Sequence, residues 1–428
     1  MTGSPSREWS YGWPIVVAGA LGMTMMGLHT AAIGTMIKPL SDAFGWSRLE
    51  ISAGMTLNTV LLFIGMPIVA LILPRFGARR IVICAGLMFS IGFVVLGLAT
   101  SQIWTWYLGW SIMGLAQSGI SALIWTTVIA RTFDKARGFA LAVALSGSGL
   151  ATFAVPLITA YSLRIGLFAP FMVLAAITAL LFLPLIVLFM RMRPEFNSQP
   201  KMAAVSARTK AGDSGELREL LRHRQVWQLV VISALTSTAI GLLFAHLQAI
   251  ILDVGASATE AAAYFAVIGP TMIFGRLCTG LLLDRMPTRP LAAMLILLPA
   301  ISCLILLGYN GSPALGVLAC VVFGLGLGAE LDLLAYICAK YFGTRHYPVV
   351  YSIVYGIYAL GAGVGAMIGG ATYDSFGSYE PILVILVGAV AVSAVLVLML
   401  GKERGSIAEE SDPQSNPTAT APEVVRTD

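Results

Sequence analysis

Stretches of about 20 apolar residues, the length a helix needs to cross the hydrocarbon of a bilayer, recur from end to end of this sequence with short polar loops between them. Twelve such spans are expected, over 13–36, 50–73, 80–100, 103–130, 138–161, 167–190, 226–250, 260–283, 290–309, 314–338, 348–371 and 380–400. The loops gather the Gly, Pro and charged residues. Of the 428 residues 11% are charged and 58% hydrophobic, against roughly 25% charged in a soluble domain, and so few charges cannot cover a water-facing surface. The chain is therefore expected to be an all-α membrane protein.

The first span is too long for a removable export signal and has no basic stretch and small-residue cleavage site around it, so it is expected to stay as helix 1. Cys84, Cys278, Cys303, Cys320 and Cys338 all fall inside spans. There they are expected to pack as small residues, not to form disulfides or hold metal.

With the N-terminus in the cytoplasm, the inside loops carry Arg75, Arg79, Arg80, Arg131, Lys135, Arg137, a dense group from Arg191 to Arg224, then Arg285, Arg289, Lys340 and Arg345. The outside loops keep Lys38, Arg48 and Arg164. This excess predicts both termini inside, in a multi-pass protein of the plasma (inner) membrane, and makes the net charge of +5 an insertion signal. No basic surface interleaved with aromatics suggests nucleic acid.

The one long polar segment divides the spans six and six. It predicts an N-terminal six-helix bundle over 1–192, a cytoplasmic linker over 193–225, a C-terminal bundle over 226–401 and a disordered tail over 402–428. Loops of the two halves match at a shift of about 210 residues: Arg75-Phe76-Gly77-Ala78-Arg79 with Arg285-Met286-Pro287-Thr288-Arg289. Ala130-Arg131-Thr132-Phe133 likewise corresponds to Ala339-Lys340-Tyr341-Phe342. Internal repeats of this kind mark transporters whose substrate site lies near the membrane midplane, between the halves.

These residues also carry a family resemblance. The loop Pro74-Arg75-Phe76-Gly77-Ala78-Arg79-Arg80 resembles the D-R-x-G-R-R signature of the major facilitator superfamily, with Pro74 in place of the acid. Its second copy keeps the acid, as Asp284-Arg285, but has Pro287 in place of the glycine. Tyr11-Gly12-Trp13-Pro14, the run from Arg131 to Gly138-Phe139-Ala140 and Lys340-Tyr341-Phe342-Gly343 are similar to the monocarboxylate transporter and oxalate/formate antiporter branch. The resemblance spans nearly all of 10–400. It implies two pseudo-symmetric six-helix bundles that rock about a central path. Arg75, Gly77, Arg79, Arg80, Asp284, Arg285 and Arg289 would then be the conformational cytoplasmic loops.

An ionisable side chain inside a span costs about 2.5–3.5 kcal/mol on insertion scales, so each one is a functional candidate. Arg276 sits in the middle of the eighth span between Gly275 and Gly280. Its planar fork fits a carboxylate with two parallel hydrogen bonds. The resemblance implies the same role, because an arginine of the eighth helix binds the substrate carboxylate in that branch. Many animal members carry an acid one turn earlier, where this chain has Met272, and a lysine in the first helix, where it reads His29-Thr30-Ala31-Ala32.

Glu330 and Asp332 lie in the tenth span. Two residues apart on a helix they point about 200° apart, so they cannot both face a cavity. Asp332 shares its stripe with Gly328 and Tyr336 and is expected on the path, with Glu330 against a neighbouring helix; a different helix rotation reverses the two. The expected coupling is that an arriving anion takes Arg276 from the acid, and the freed acid gains a proton. The bland alternative is that the acids only hydrogen-bond adjoining helices.

His29, Asn58, Gln117, Ser121, Ser146, Tyr336, Tyr355 and Tyr358 are the further candidates for substrate binding, and His246 for proton movement; each is equally a packing residue. Glycines at 147–149, 324–328, 361–365 and 369–370, with Pro156 and Pro170, mark helices that approach closely and slide.

The chain lacks a G-x-x-x-x-G-K-S/T run, H-E-x-x-H, C-x-x-C and G-x-S-x-G, so neither nucleotide-driven pumping nor enzymatic catalysis is expected, and no cofactor or metal. The expected function is secondary transport of small organic anions, monocarboxylates or related acids, by proton symport or anion exchange. Its partners would be a carboxylate, a proton and the bilayer, with a monomer as the functional unit. An exporter of drugs or cations, with Arg276 as internal counter-ion to Glu330 or Asp332, is the second reading; a non-transporting sensor or scaffold is the third.

Overall fold

The computed structural model describes residues 5–133, 136–191, 222–283 and 285–401. Lys135, Asp284, most of the expected linker and the expected tail lie outside the described residues. Among the described residues eleven helices are long and apolar enough to cross a membrane: α1 (Glu8–Phe44), α2 (Arg48–Leu73), α3 (Arg75–Gly97), α5 (Gly138–Ser162), α6 (Ala169–Met190), α7 (Arg224–Asp253), α8 (Ala258–Leu283), α9 (Thr288–Leu307), α10 (Pro313–Gly343), α11 (Val349–Phe376) and α12 (Glu380–Leu398).

The remaining span, α4, corrects the expectation of one helix over 103–130. It is two helices, Ile103–Ser118 and Ala122–Thr132. At the break a Cβ on Gly119 would stand 2.6 Å from that of Ala85, so α3 presses directly on the backbone. Groups freed by the break are reused locally: Trp125 Nε1 donates to the Ile120 carbonyl at 3.0 Å and Ser121 Oγ to the Ser118 carbonyl at 2.9 Å. Satisfying backbone groups within the segment is what makes a broken helix tolerable in a bilayer.

Two hydrophobic cores form. One gathers residues between Ile15 and Met190 together with Ala249 of α7, and the other residues between Val226 and Leu400. Large apolar side chains also point outward, among them Leu71 at 76% and Leu180 at 77% exposure. A surface this apolar is stable only against lipid.

The internal repeat continues into a turn that the loop comparison did not include. Ser47 and Glu50 cap each other at the start of α2, and Ser257 and Glu260 do the same at the start of α8, again about 210 residues on. Each box follows a glycine of positive φ, Gly45 at 68° and Gly255 at 105°. Positive φ also occurs at Gly77 (φ 74°), where α2 turns into α3, and at Gly343 (φ 66°), where α10 turns into α11. Pro287, the residue in the second copy where the first has Gly77, has φ −57° as the cap before α9, so that copy turns without a left-handed residue.

The halves meet through α1 on α7, α2 on α11, and α5 on α8. Thr35 Oγ1 donates to Gln248 Oε1 at 2.7 Å, Thr56 Oγ1 to the Gly363 carbonyl at 2.7 Å, and Arg164 Nη2 to Thr259 Oγ1 at 3.2 Å. Where α5 crosses α8, a Cβ on Gly149 would stand 3.0 Å from the Gly269 carbonyl oxygen. These contacts lie toward the end that carries the α1–α2, α5–α6, α7–α8 and α11–α12 turns, called the closed end below. Further along, a Cβ on Gly356 of α11 would stand 4.0 Å from the Phe63 ring of α2.

Candidate functional site

Arg276 stands 18 residues into α8 and Asp332 19 into α10, about 27 and 28 Å along helices that start at the same end, so they share one depth. Glycines bring the two helices together. A Cβ on Gly275 would meet the Leu325 carbonyl oxygen at 2.6 Å, and one on Gly328 would stand 3.0 Å from the Arg276 backbone nitrogen. At this spacing Arg276 Nε lies 3.0 Å from Asp332 Oδ2. The distance is that of an ion pair, but the Nε–H is not aligned for a hydrogen bond. Arg276 is 17% and Asp332 39% exposed at the side chain. Arg276 is thus paired with Asp332 through Nε and not through both arms of its fork, and the carboxylate beside it is reachable.

Glu330 occupies different surroundings. It is 5% exposed, lies with Thr236 of α7, Leu295, Ile296 and Pro299 around one small pocket, and neither carboxylate oxygen has a hydrogen-bond partner. The two acids of α10 therefore stand in separate environments, as the 200° between them requires.

Tyr336 is half-buried one turn beyond Asp332; its hydroxyl donates to the Leu283 carbonyl at 3.3 Å, and Lys340 Nζ lies 5.5 Å from its ring centroid. On α11 and the turn before it four tyrosines form a ladder. Ring centroids of Tyr347 and Tyr351 are 5.3 Å apart, those of Tyr351 and Tyr355 5.9 Å, and those of Tyr355 and Tyr358 6.4 Å, with interplanar angles of 11°, 32° and 11°. Tyr351 lies within electrostatic reach of Asp332, and Tyr358 within reach of Arg276 and Glu330. Tyr347, in the turn before α11, has its phenol pushed above the ordinary value by burial.

The candidates in the N-terminal half lie inside their own bundle, most of them with a partner there. His29 Nε2 is 3.3 Å from Asn58 Oδ1, and the imidazole packs edge-on to Phe89 at 5.4 Å and against Trp110 at 5.6 Å. Gln117 is buried with its Oε1 unpartnered, Ser121 serves the α4 break, and Ser146 Oγ donates to the Ala142 carbonyl at 2.7 Å. None of these contacts reaches α8 or α10. In the loops, Arg75, Arg80 and Arg285 are exposed, whereas Arg289 Nε donates to Tyr341 Oη at 3.0 Å and its Nη2 to the Gly401 carbonyl at 2.5 Å. The cysteines among the described residues are all free.

His246 joins a group that sequence reading did not assemble. Its Nδ1 is 2.9 Å from Tyr379 Oη and its Nε2 is 2.8 Å from the Ala366 carbonyl, with Ser52 Oγ of the other half 3.2 Å away. Arg48, Asp253 and Asp374 complete this group at the closed end. One signal was available: Arg48 follows Ser47 at the first position of a helix, where the dipole disfavours a cation unless acids offset it.

The model of the Major Facilitator Superfamily matches residues 19–354. Monocarboxylate transporter 13 of Bos taurus is 25% identical over 407 residues, 92% of this chain and 90% of the relative. Among solved structures, a bacterial homologue of the human lysosomal transporter Spinster, in an inward-facing and unoccupied conformation, superposes with a TM-score of 0.69 at 19% identity, covering 93% of this chain and 96% of that one. A point mutant of the nucleoside transporter NupG gives 0.71 at 13% identity, covering 91% and 100%.

Proposed function

Since the chain belongs to the Major Facilitator Superfamily, we propose that it is a secondary transporter of small organic anions, monocarboxylates or related acids, with Arg276 as the carboxylate clamp. That it is a multi-pass transporter, not an enzyme, follows from family and fold; the substrate class is our reading. The observation that carries it is the contact of Arg276 Nε with Asp332 Oδ2, 3.0 Å apart without an aligned hydrogen bond. A cation this deep needs a counter-charge, and here the counter-charge is exchangeable. An incoming carboxylate that takes both arms of the fork gains two charge-assisted hydrogen bonds that Asp332 does not make.

Asp332, released from the arginine and left beside the negative charge of the arriving anion, then takes a proton, so that anion and proton cross together. The excess of basic loop residues supports an orientation with the closed end outside and both termini in the cytoplasm. The described conformation is then the inward-facing one, and Tyr351 and Tyr355 stand along the way from the cytoplasmic mouth to Arg276. The match to a monocarboxylate transporter over nine-tenths of both chains supports the same substrate class.

One observation favours a second reading. Asp332 is more exposed than Arg276, so a cationic substrate would meet the carboxylate first. Arg276→Lys separates the two in proteoliposomes. Carboxylate transport requires the planar fork and is lost with it, whereas a cation carrier keeps its transport with the charge retained. Full carboxylate uptake by Arg276→Lys refutes the clamp.

A further inference from the structure

One side chain ties the halves together at the closed end. Arg48, 6% exposed, opens α2 in the N-terminal half and places its guanidinium wholly among residues of the C-terminal half. Its Nη1 donates to Asp253 Oδ2 at 2.7 Å and to Tyr379 Oη at 2.7 Å, and its Nη2 donates to Asp253 Oδ1 at 2.8 Å. The Tyr373 ring lies 3.4 Å from its Cζ. This is a two-armed arginine–carboxylate pair with a cation–π face, the geometry that makes such pairs strong.

A second acid crosses in the reverse sense. Asp374, at the end of α11, accepts the backbone N–H groups of Arg48 at 2.9 Å and Leu49 at 2.8 Å, so a carboxylate of one half caps a helix of the other. Lys38 Nζ adds a longer contact to Asp253 at 3.7 Å. Below them Ser52 meets His246. The backbones touch: a Cβ on Gly370 would stand 2.6 Å from the Arg48 carbonyl oxygen.

Separating the halves here strands all of these groups together. Arg48 would be left at a helix N-terminus, against the dipole, while Asp253 and Asp374 would lose the donors they accept from. In the described conformation Arg48, Asp253 and Asp374 all have partners across the halves. Its residues lie far from Arg276 and need no assumption about what is carried.

We propose that Arg48 is the positioning residue that sets the resting state of the transport cycle. Its pairing with Asp253, together with the Asp374 cap, holds the closed end shut, and that end opens only when both contacts break. The full-length protein in lipid nanodiscs tests this by amide hydrogen exchange, read over 45–56, 246–257 and 363–376. Arg48→Ala and Asp253→Asn should each raise exchange in these segments at least tenfold and leave α9 and the start of α6 as in the wild type. The exchanged pair Arg48→Asp with Asp253→Arg should recover part of the protection. Exchange unchanged in both single variants, raised evenly over every helix, or not recovered in the exchanged pair overturns the proposal. Should Arg48→Ala not fold, Asp253→Asn, which conserves volume, carries the test.

Discussion

Gly275 of α8 sits against the backbone of Leu325 of α10, so closely that a Cβ there would stand 2.6 Å from the Leu325 carbonyl oxygen and 2.9 Å from its Cα. The neighbour is main chain and cannot rotate aside. The separation that lets Arg276 reach Asp332 is therefore set by a missing side chain. Gly275→Val should force the helices apart, lower stability by about 1–3 kcal/mol as overpacking does, and abolish Arg276-dependent uptake. A melting temperature and uptake rate equal to those of the wild type would show that α10 gives way more easily than its backbone contact implies.

Arg276 and Asp332 should be energetically coupled. Removing one member of a partly buried pair leaves an uncompensated charge, so Arg276→Ala should cost more stability than the double variant Arg276→Ala with Asp332→Asn. Thermal unfolding of the four proteins of the cycle, in one detergent, gives the coupling directly. Additive losses would mean that the two charges do not sense each other.

Proton coupling has a definite sign. In symport the proton is a co-substrate, so anion uptake should rise as the outside pH falls, and a gradient of pH alone should drive it. Asp332→Asn has no proton to exchange and should lose this response while anion counterflow continues. A wild type indifferent to pH would rule out proton symport.

The tyrosines of α11 should act on affinity and leave the proton response alone. Tyr351→Leu and Tyr355→Leu remove rings tilted against each other at 5.9 Å, a contact worth about 0.5–1.5 kcal/mol per aromatic pair. A rise in KM of several-fold with little change in kcat is expected from initial rates of uptake. A fall in kcat with constant KM would place the ladder in the moving parts of the cycle instead.

Gly77 and Gly343 should resist substitution for a conformational reason. Both have positive φ, and a Cβ on Gly343 would have nothing within 4 Å, so strain rather than crowding is the obstacle there. Gly343→Ala and Gly343→Asn should each cost about 1–3 kcal/mol, because a ψ of 174° with this φ lies in a region essentially confined to glycine and outside the left-handed helical well that asparagine tolerates; both melting temperatures should fall below the wild type by similar amounts.

The spans could be read from the sequence because apolar length is a property of the chain itself, needing no knowledge of neighbours. The break in α4 could not, since Gly119 yields to Ala85 of another helix. Arg276, Glu330 and Asp332 stood out because charge is rare inside spans, and the helical repeat separated the two acids before any coordinates. His29 and Asn58 were equally visible as polar residues, but whether a polar side chain faces the path or its own bundle depends on helix rotation. The Arg48 cluster stayed hidden for the opposite reason. Its residues lie at helix ends, where charge is ordinary, and its partners are distant in sequence.

The turn before α2 and the turn before α8 are built alike, Gly45 and Gly255 leading into Ser47–Glu50 and Ser257–Glu260, yet the residue after the capping serine is Arg48 in one and Ala258 in the other. Both turns lie at the closed end, so a contact made by either copy biases the two-part rocker toward the same resting side. A single arginine given to one copy and withheld from the other weights the rocker, and the molecule waits for its cargo with a preferred side.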